Sequence, residues 1–126
     1  MMGTQDRSAL WRQEFGRWGE DLAARYLAER GFGVLSRNWR CREGELDLVV
    51  TDFARVIFCE VKTRSGTDYG LPSETVTAEK AQRVHRAAQQ WLREFGVGWC
   101  PTRYDVLTVL AEPGSRPQLR HHEAAF

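Results

Sequence analysis

Two short runs in the middle of the chain, Glu45 to Thr51 and Val56 to Lys62, hold Asp47, Glu60 and Lys62 at a spacing suited to metal-assisted hydrolysis. Both runs alternate in character, and Asp52-Phe53-Ala54-Arg55 between them reads as a four-residue hairpin loop. Antiparallel pairing then sets Thr51 against Val56, Val49 against Phe58, Asp47 against Glu60 and Glu45 against Lys62. One face becomes wholly apolar: Leu46, Leu48, Val50, Ile57, Cys59 and Val61. The other carries Val49 and Phe58 near the turn, with Glu45, Asp47, Glu60 and Lys62 gathered at the open end. A slip of one residue would bury all four charges, so the register is well determined.

Directly opposed, the Asp47 and Glu60 Cβ atoms would stand roughly 4.5–5.5 Å apart. Two carboxylates so placed repel, and one has its pKa pushed up. A hard divalent cation between them, Mg²⁺ or Mn²⁺, turns that penalty into a binding site for oxygen ligands. Lysine is a flexible point charge, so Lys62 could orient or deprotonate the attacking water and offset charge growing on a phosphate. The chain has 16 arginines and only two lysines, Lys62 and Lys80, which makes a lysine at this spot notable. The competing reading is a solvated network in which Lys62 neutralises Glu45 or Glu60.

The flanking sequence supplies the elements that position these groups. Leu10, Trp11, Phe15, Trp18, Leu22, Tyr26 and Leu27 recur at spacings of three and four, predicting one face of a helix from about Ser8 to Arg30, stopped by Gly31. A short strand from Val34-Leu35 leads into the basic stretch Arg37 to Arg42. Thr63 to Ser73 reads as a loop, with Ser65 to Gly70 placed to close over a substrate. Thr77 caps a second helix with Glu79 in its first turn; Ala81, Val84, Ala88, Trp91, Leu92 and Phe95 make its core face and Gly96 ends it. Tyr104 to Leu110 is a further strand, and the tail to Phe126 adds an edge strand. The order is αβββαβ: an α/β fold with a mixed central sheet flanked by helices.

At 126 residues the chain is expected to be a single domain, its core about 15–110 and its tail 111–126. A net charge of +1 argues neither for nor against nucleic acid. Apolar runs are strand-length, the start is polar, and the three cysteines form no CxxC pair. A membrane span, an export signal, a disulfide framework and a structural zinc are therefore not expected, and the cytoplasm is the default.

Glu45-Leu46-Asp47, thirteen residues, then Glu60-Val61-Lys62 resembles the PD-(D/E)xK signature of restriction-endonuclease-like nucleases. Gly16-Arg17-Trp18-Gly19-Glu20, Ala23-Ala24, Leu27, Gly31-Phe32, Asn38-Trp39-Arg40, Gly44 to Val49, Glu60 to Arg64 and Arg103 to Val106 resemble the bacterial YraN-like uncharacterised protein family. That family is similar to archaeal Holliday-junction resolvases and to the tRNA-endonuclease-like α/β domain. The resemblance implies a metal-dependent nuclease of DNA, branched DNA included; it suggests a symmetric homodimer, with a monomer acting beside a helper equally compatible. It implies Asp47, Glu60 and the Val61 carbonyl as metal ligands, Lys62 as the catalytic lysine, and Glu20 as the acid of a second metal position. The signature's proline is replaced by Leu46, which touches loop geometry more than chemistry.

Arg37, Arg40, Arg42 and Arg64 flank the open end of the hairpin and could hold phosphates. Trp39 could stack on a base, with core packing the stronger expectation. Lys80 faces either the site or solvent. Asp105 with Arg103 reads as an ion pair, and the His121-His122 pair lacks partners at metal-ligand spacing. Two rivals to a nuclease stay open: a nucleic-acid-binding module that cleaves little and acts with a partner, and a scaffold with a salt-bridged strand end.

Overall fold

The computed structural model describes residues 4–65 and 76–126. Its elements are α1 (Thr4–Glu29), β1 (Gly33–Cys41), β2 (Gly44–Thr51), β3 (Val56–Ser65), α2 (Ala78–Glu94), β4 (Thr102–Ala111) and β5 (Gln118–His122). They form one five-stranded sheet in the order β1-β2-β3-β4-β5. Only the β3–β4 pair, joined through α2, is parallel. This is the expected αβββαβ order with the tail strand added. The basic stretch Arg37 to Cys41 belongs to β1 itself, and β3 runs on to Ser65. The rest of the predicted closing loop lies outside the described residues.

Helices cover both sheet faces. On the α1 side, Ala23, Ala24 and Leu27 meet Leu48, Val50, Ile57, Cys59 and Leu107. On the α2 side, Val84, Ala87, Ala88 and Trp91 meet Leu46, Val49, Val56 and Phe58. Leu46 therefore leaves its expected face. It lies beyond the last β2–β3 backbone pair, where β2 is joined to β1 alone and a two-stranded ribbon twists more strongly. The helix ends follow local chemistry. Gly31 and Gly96 adopt positive φ at the stops, and the Thr77 hydroxyl accepts the Lys80 amide to cap α2.

The expected core face of α1 is wrong in part. Leu10, Trp11 and Trp18 are exposed, and the rings of Trp11, Phe15 and Trp18 stack on one another along the helix's outer flank. The sheet receives a row of small residues instead. At Gly19 a Cβ would lie 2.0 Å from the Thr63 hydroxyl oxygen, so only glycine permits this approach. Phe95, expected in the core, is also exposed, because α2 ends there. Among the described residues no helix is long and apolar enough to cross a membrane.

Candidate metal centre

The hairpin register is the expected one from Thr51↔Val56 through Leu48↔Cys59, and there the ladder stops. Asp47 and Glu60 are thus not a ladder pair. At the next position the Asp47 carboxylate enters the gap and its Oδ2 accepts the Val61 backbone N–H at 2.9 Å. In an extended strand the N–H and C=O of one residue project toward the same edge, so the Val61 carbonyl is directed into that gap too. Asp47 and Glu60 line one cavity of about 250 Å³ between the hairpin and α2, with Glu45, Lys80 and Arg83. Glu60 is 2% exposed, an uncommon position for a carboxylate.

The charges do not balance comfortably. Burial, reinforced by the Asp47 charge, lifts the Glu60 pKa to about 7. Burial also raises Asp47, although the Val61 amide and Lys80 pull it down. Lys80 reaches in from the first turn of α2 and places Nζ 3.0 Å from Glu60 Oε1. Its ammonium also lies beside that of Lys62. Burial, followed by that contact and the Lys80 charge, lowers Lys62 to about 8. For Lys80 burial acts in the same downward sense, but the Lys62 contact and the Glu60 and Asp47 charges outweigh it and raise the pKa. Both lysines of the chain therefore meet at both acids. Neutralisation falls to Lys80 rather than to Lys62. Sequence spacing could not reveal this, since Lys80 lies twenty residues beyond Glu60.

Glu20 stands on the α1 side of the same strand ends. Burial and the Asp47 charge raise its pKa, and a hydrogen bond from the Asn38 side chain opposes them. Asn38 lies in β1 between partners of Leu48 and Leu46, hence beside Asp47, with φ 49°. Asparagine tolerates that left-handed conformation better than most residues. Glu20 lines a second cavity of about 400 Å³ with Arg17, Asn38, Arg40 and Glu45. Glu45 borders both cavities. Glu20, Asp47 and Glu60 do not bring three donor atoms within 4.8 Å of one another; among the described residues only Cys59, Asp105 and His121 do. Asp47, Glu60 and the Val61 carbonyl are therefore the groups that could hold one cation, while Glu20 lines the other cavity.

The Cys59–Asp105–His121 group has another explanation. Asp105 is fully buried, and its two oxygens engage Arg103 in a fork at 2.8 and 2.9 Å, the Ala124 amide at 2.9 Å and His121 Nε2 at 2.7 Å. Those hydrogen bonds outweigh burial and lower the Asp105 pKa. Asp105 is the ion pair expected from the sequence, tying β4 to β5 and the tail.

The flanking cations divide. Arg37 pairs with Asp21 beside a hollow on the flank of α1. Arg40 pairs with Glu45 at 3.5 Å, inside the larger cavity. Arg42 is exposed in the β1–β2 turn, and Arg64 is half-buried on β3, two residues beyond Lys62. Trp39 packs against the α2-side core, as expected. Sequence reasoning missed Arg83 and Asn38. The first carries only the helical spacing of three from Lys80 as a signal, and the second only its place in the Asn38-Trp39-Arg40 motif.

A mixed sheet held between helices, with acids and lysines at the parting of its central strands, is compatible with the restriction-endonuclease-like class. Residues 19–109 match the family described as Uncharacterised protein family UPF0102. A UPF0102 protein of Frankia casuarinae is 51% identical over 116 residues, covering 91% of this chain and 98% of that protein. One from Nocardia farcinica is 48% identical over 115 residues, covering 91% of each. One from Pelotomaculum thermopropionicum is 46% identical over 116 residues, covering 91% and 97%. The chain belongs to the UPF0102, or YraN-like, family.

Proposed function

We propose that the chain is a divalent-metal-dependent nuclease that hydrolyses phosphodiester bonds, with DNA, branched DNA included, as the favoured substrate. The observation that carries this reading is the pair of acids, buried Glu60 and half-buried Asp47, both with raised pKa values beside the only two lysines of the chain. Folding gains nothing from such a pair, and a cation would relieve it. Asp47, Glu60 and the Val61 carbonyl would hold Mg²⁺ or Mn²⁺, with Glu20 toward a second position. The ion supplies a Lewis acid for the phosphoryl oxygens and charge to stabilise the leaving oxygen. Lys62, its pKa lowered to about 8, orients the attacking water and takes its proton. Lys80, released from Glu60, turns its charge toward the phosphate. Asn38 holds Glu20 in place.

One observation favours a second reading, a nucleic-acid-binding module that does not cleave: Lys80 already occupies one oxygen of Glu60. A panel of duplex, flap, four-way junction, single-stranded DNA and RNA, incubated with Mg²⁺ and with Mn²⁺, separates the two. Cleavage by the wild type but not by Lys62→Ala supports the nuclease. A gel shift without cleavage under any divalent ion supports the module. Neither binding nor cleavage leaves a scaffold.

A further inference from the structure

Glu45 lines both cavities, so they adjoin at the strand ends, one on the α1 side and one on the α2 side, and we read them as the two halves of one trough. Its middle is acidic and each end carries a cation. On α1, Arg17 precedes Glu20 by three residues, about 4.5 Å of helix rise. On α2, Arg83 follows Lys80 by the same interval. Among the described residues neither Arg17 nor Arg83 has a carboxylate partner, whereas Arg40 in the same trough is paired with Glu45.

Gly16 is the second observation. It lies within α1, where glycine destabilises a helix by about 1 kcal/mol relative to alanine. Gly19 is explained by the Thr63 contact, but a Cβ on Gly16 would meet nothing within 4 Å. The α1–sheet packing does not call for a glycine there. Its bare backbone faces the larger cavity, an arrangement suited to a ligand lying close against the helix.

We propose that the trough seats one nucleic-acid strand, with phosphates flanking the central one held by Arg17 in the α1 cavity and by Arg83 in the α2 cavity, and with Gly16 kept bare for the sugar-phosphate chain. This rests on the phosphodiester reading above and assigns the polarity-independent contacts on either side of the acids. Phosphate contacts of this kind set position without reading sequence.

The test is fluorescence anisotropy of a labelled single-stranded oligodeoxynucleotide, titrated with the full chain at several KCl concentrations, in EDTA and in Ca²⁺. Arg17→Gln and Arg83→Gln should each weaken binding about 5–10-fold near 0.1 M salt. Each should also flatten the log–log salt slope by about 0.7, the value for one phosphate contact on a single strand. The double variant should combine both losses, while Arg93→Gln and Arg116→Gln should match the wild type. Gly16→Ala should melt a few degrees higher than the wild type yet bind several-fold more weakly, a combination that a purely structural glycine would not give. If the wild type binds but Arg17→Gln and Arg83→Gln keep its affinity and slope, the trough assignment is overturned and the nuclease reading stands. If the wild type neither binds the oligonucleotide nor cleaves any substrate of the panel, both fall together.

Discussion

Replacing Glu60 by glutamine should stabilise the metal-free protein, against the usual outcome for a buried polar position. The carboxyl titrates near 4.5 when unhindered and near 7 in the fold. At about 1.4 kcal/mol per pH unit, keeping it ionised in the native state opposes folding by about 3 kcal/mol at pH 8. The sign follows from proton counts. Between about pH 4.5 and 7 the native chain holds a proton that the unfolded chain has released, so wild-type stability declines as pH rises through that window and levels off above it. Glutamine mimics the protonated acid and removes the decline. For a chain of this length the gain corresponds to a melting temperature higher by roughly 10 °C at pH 8, shrinking toward zero near pH 5. Thermal melts in EDTA from pH 5 to 8.5 would read both curves. Saturating Mn²⁺ should reverse their order, since only the wild type offers the full ligand set. A Glu60→Gln protein that melts at or below the wild type in EDTA at pH 8 would refute the claim that the acids are held against their preference.

Lys80→Met should lower metal-free stability at pH 8 by about 1–2 kcal/mol, the half-exposed lysine moderating the loss. The same change should enlarge the Mn²⁺-induced melting shift, because a competing cation has gone; an unchanged shift would show that Lys80 and the ion do not compete. Asp47→Ala should abolish that shift in differential scanning fluorimetry. Asp105→Asn should lose about 3 kcal/mol in urea denaturation at pH 7, as it breaks the Arg103 fork and the His121 contact inside the protein. Because the Asp105 pKa is depressed in the fold, its contribution is present above the ordinary aspartate range and disappears as pH falls through the native value. Wild type and variant should therefore converge in acid. Gly19→Ala should destabilise by about 2 kcal/mol or more, driving a methyl group into Thr63.

Much of this arrangement is legible in the sequence where the signal is local. The hairpin register follows from period-two alternation around a four-residue loop, and four observed pairs obey it. Helix stops at Gly31 and Gly96 and the Thr77 cap follow from residue chemistry at single positions. The errors share a cause: three-dimensional closeness that no short window encodes. Apolar periodicity in α1 picked out the aromatic stripe along with Leu27, which is buried as expected, but the rest of the buried face is Gly19, Ala23 and Ala24, because small residues allow the helix to approach the sheet. Small residues carry little hydropathy signal, so this face was muted. The pairing of Lys80 with Glu60 likewise depends on how α2 returns across the sheet, and the Asn38–Glu20 contact on how α1 leans on β1.

The choice of lysine at the centre of an arginine-rich chain has a physical logic. An arginine at position 80 would present a planar fork, and a bidentate pair with Glu60 would engage both carboxylate oxygens. Lys80 engages Oε1 alone, and Asp47 gives only Oδ2 to the Val61 amide. An arginine at position 62 could not surrender a proton near pH 8, whereas burial and the Lys80 charge bring Lys62 to that point. The two lysines therefore offset part of the acids' charge, yet burial and the Asp47 charge still hold the Glu60 pKa up at about 7, an imbalance that a divalent cation would relieve.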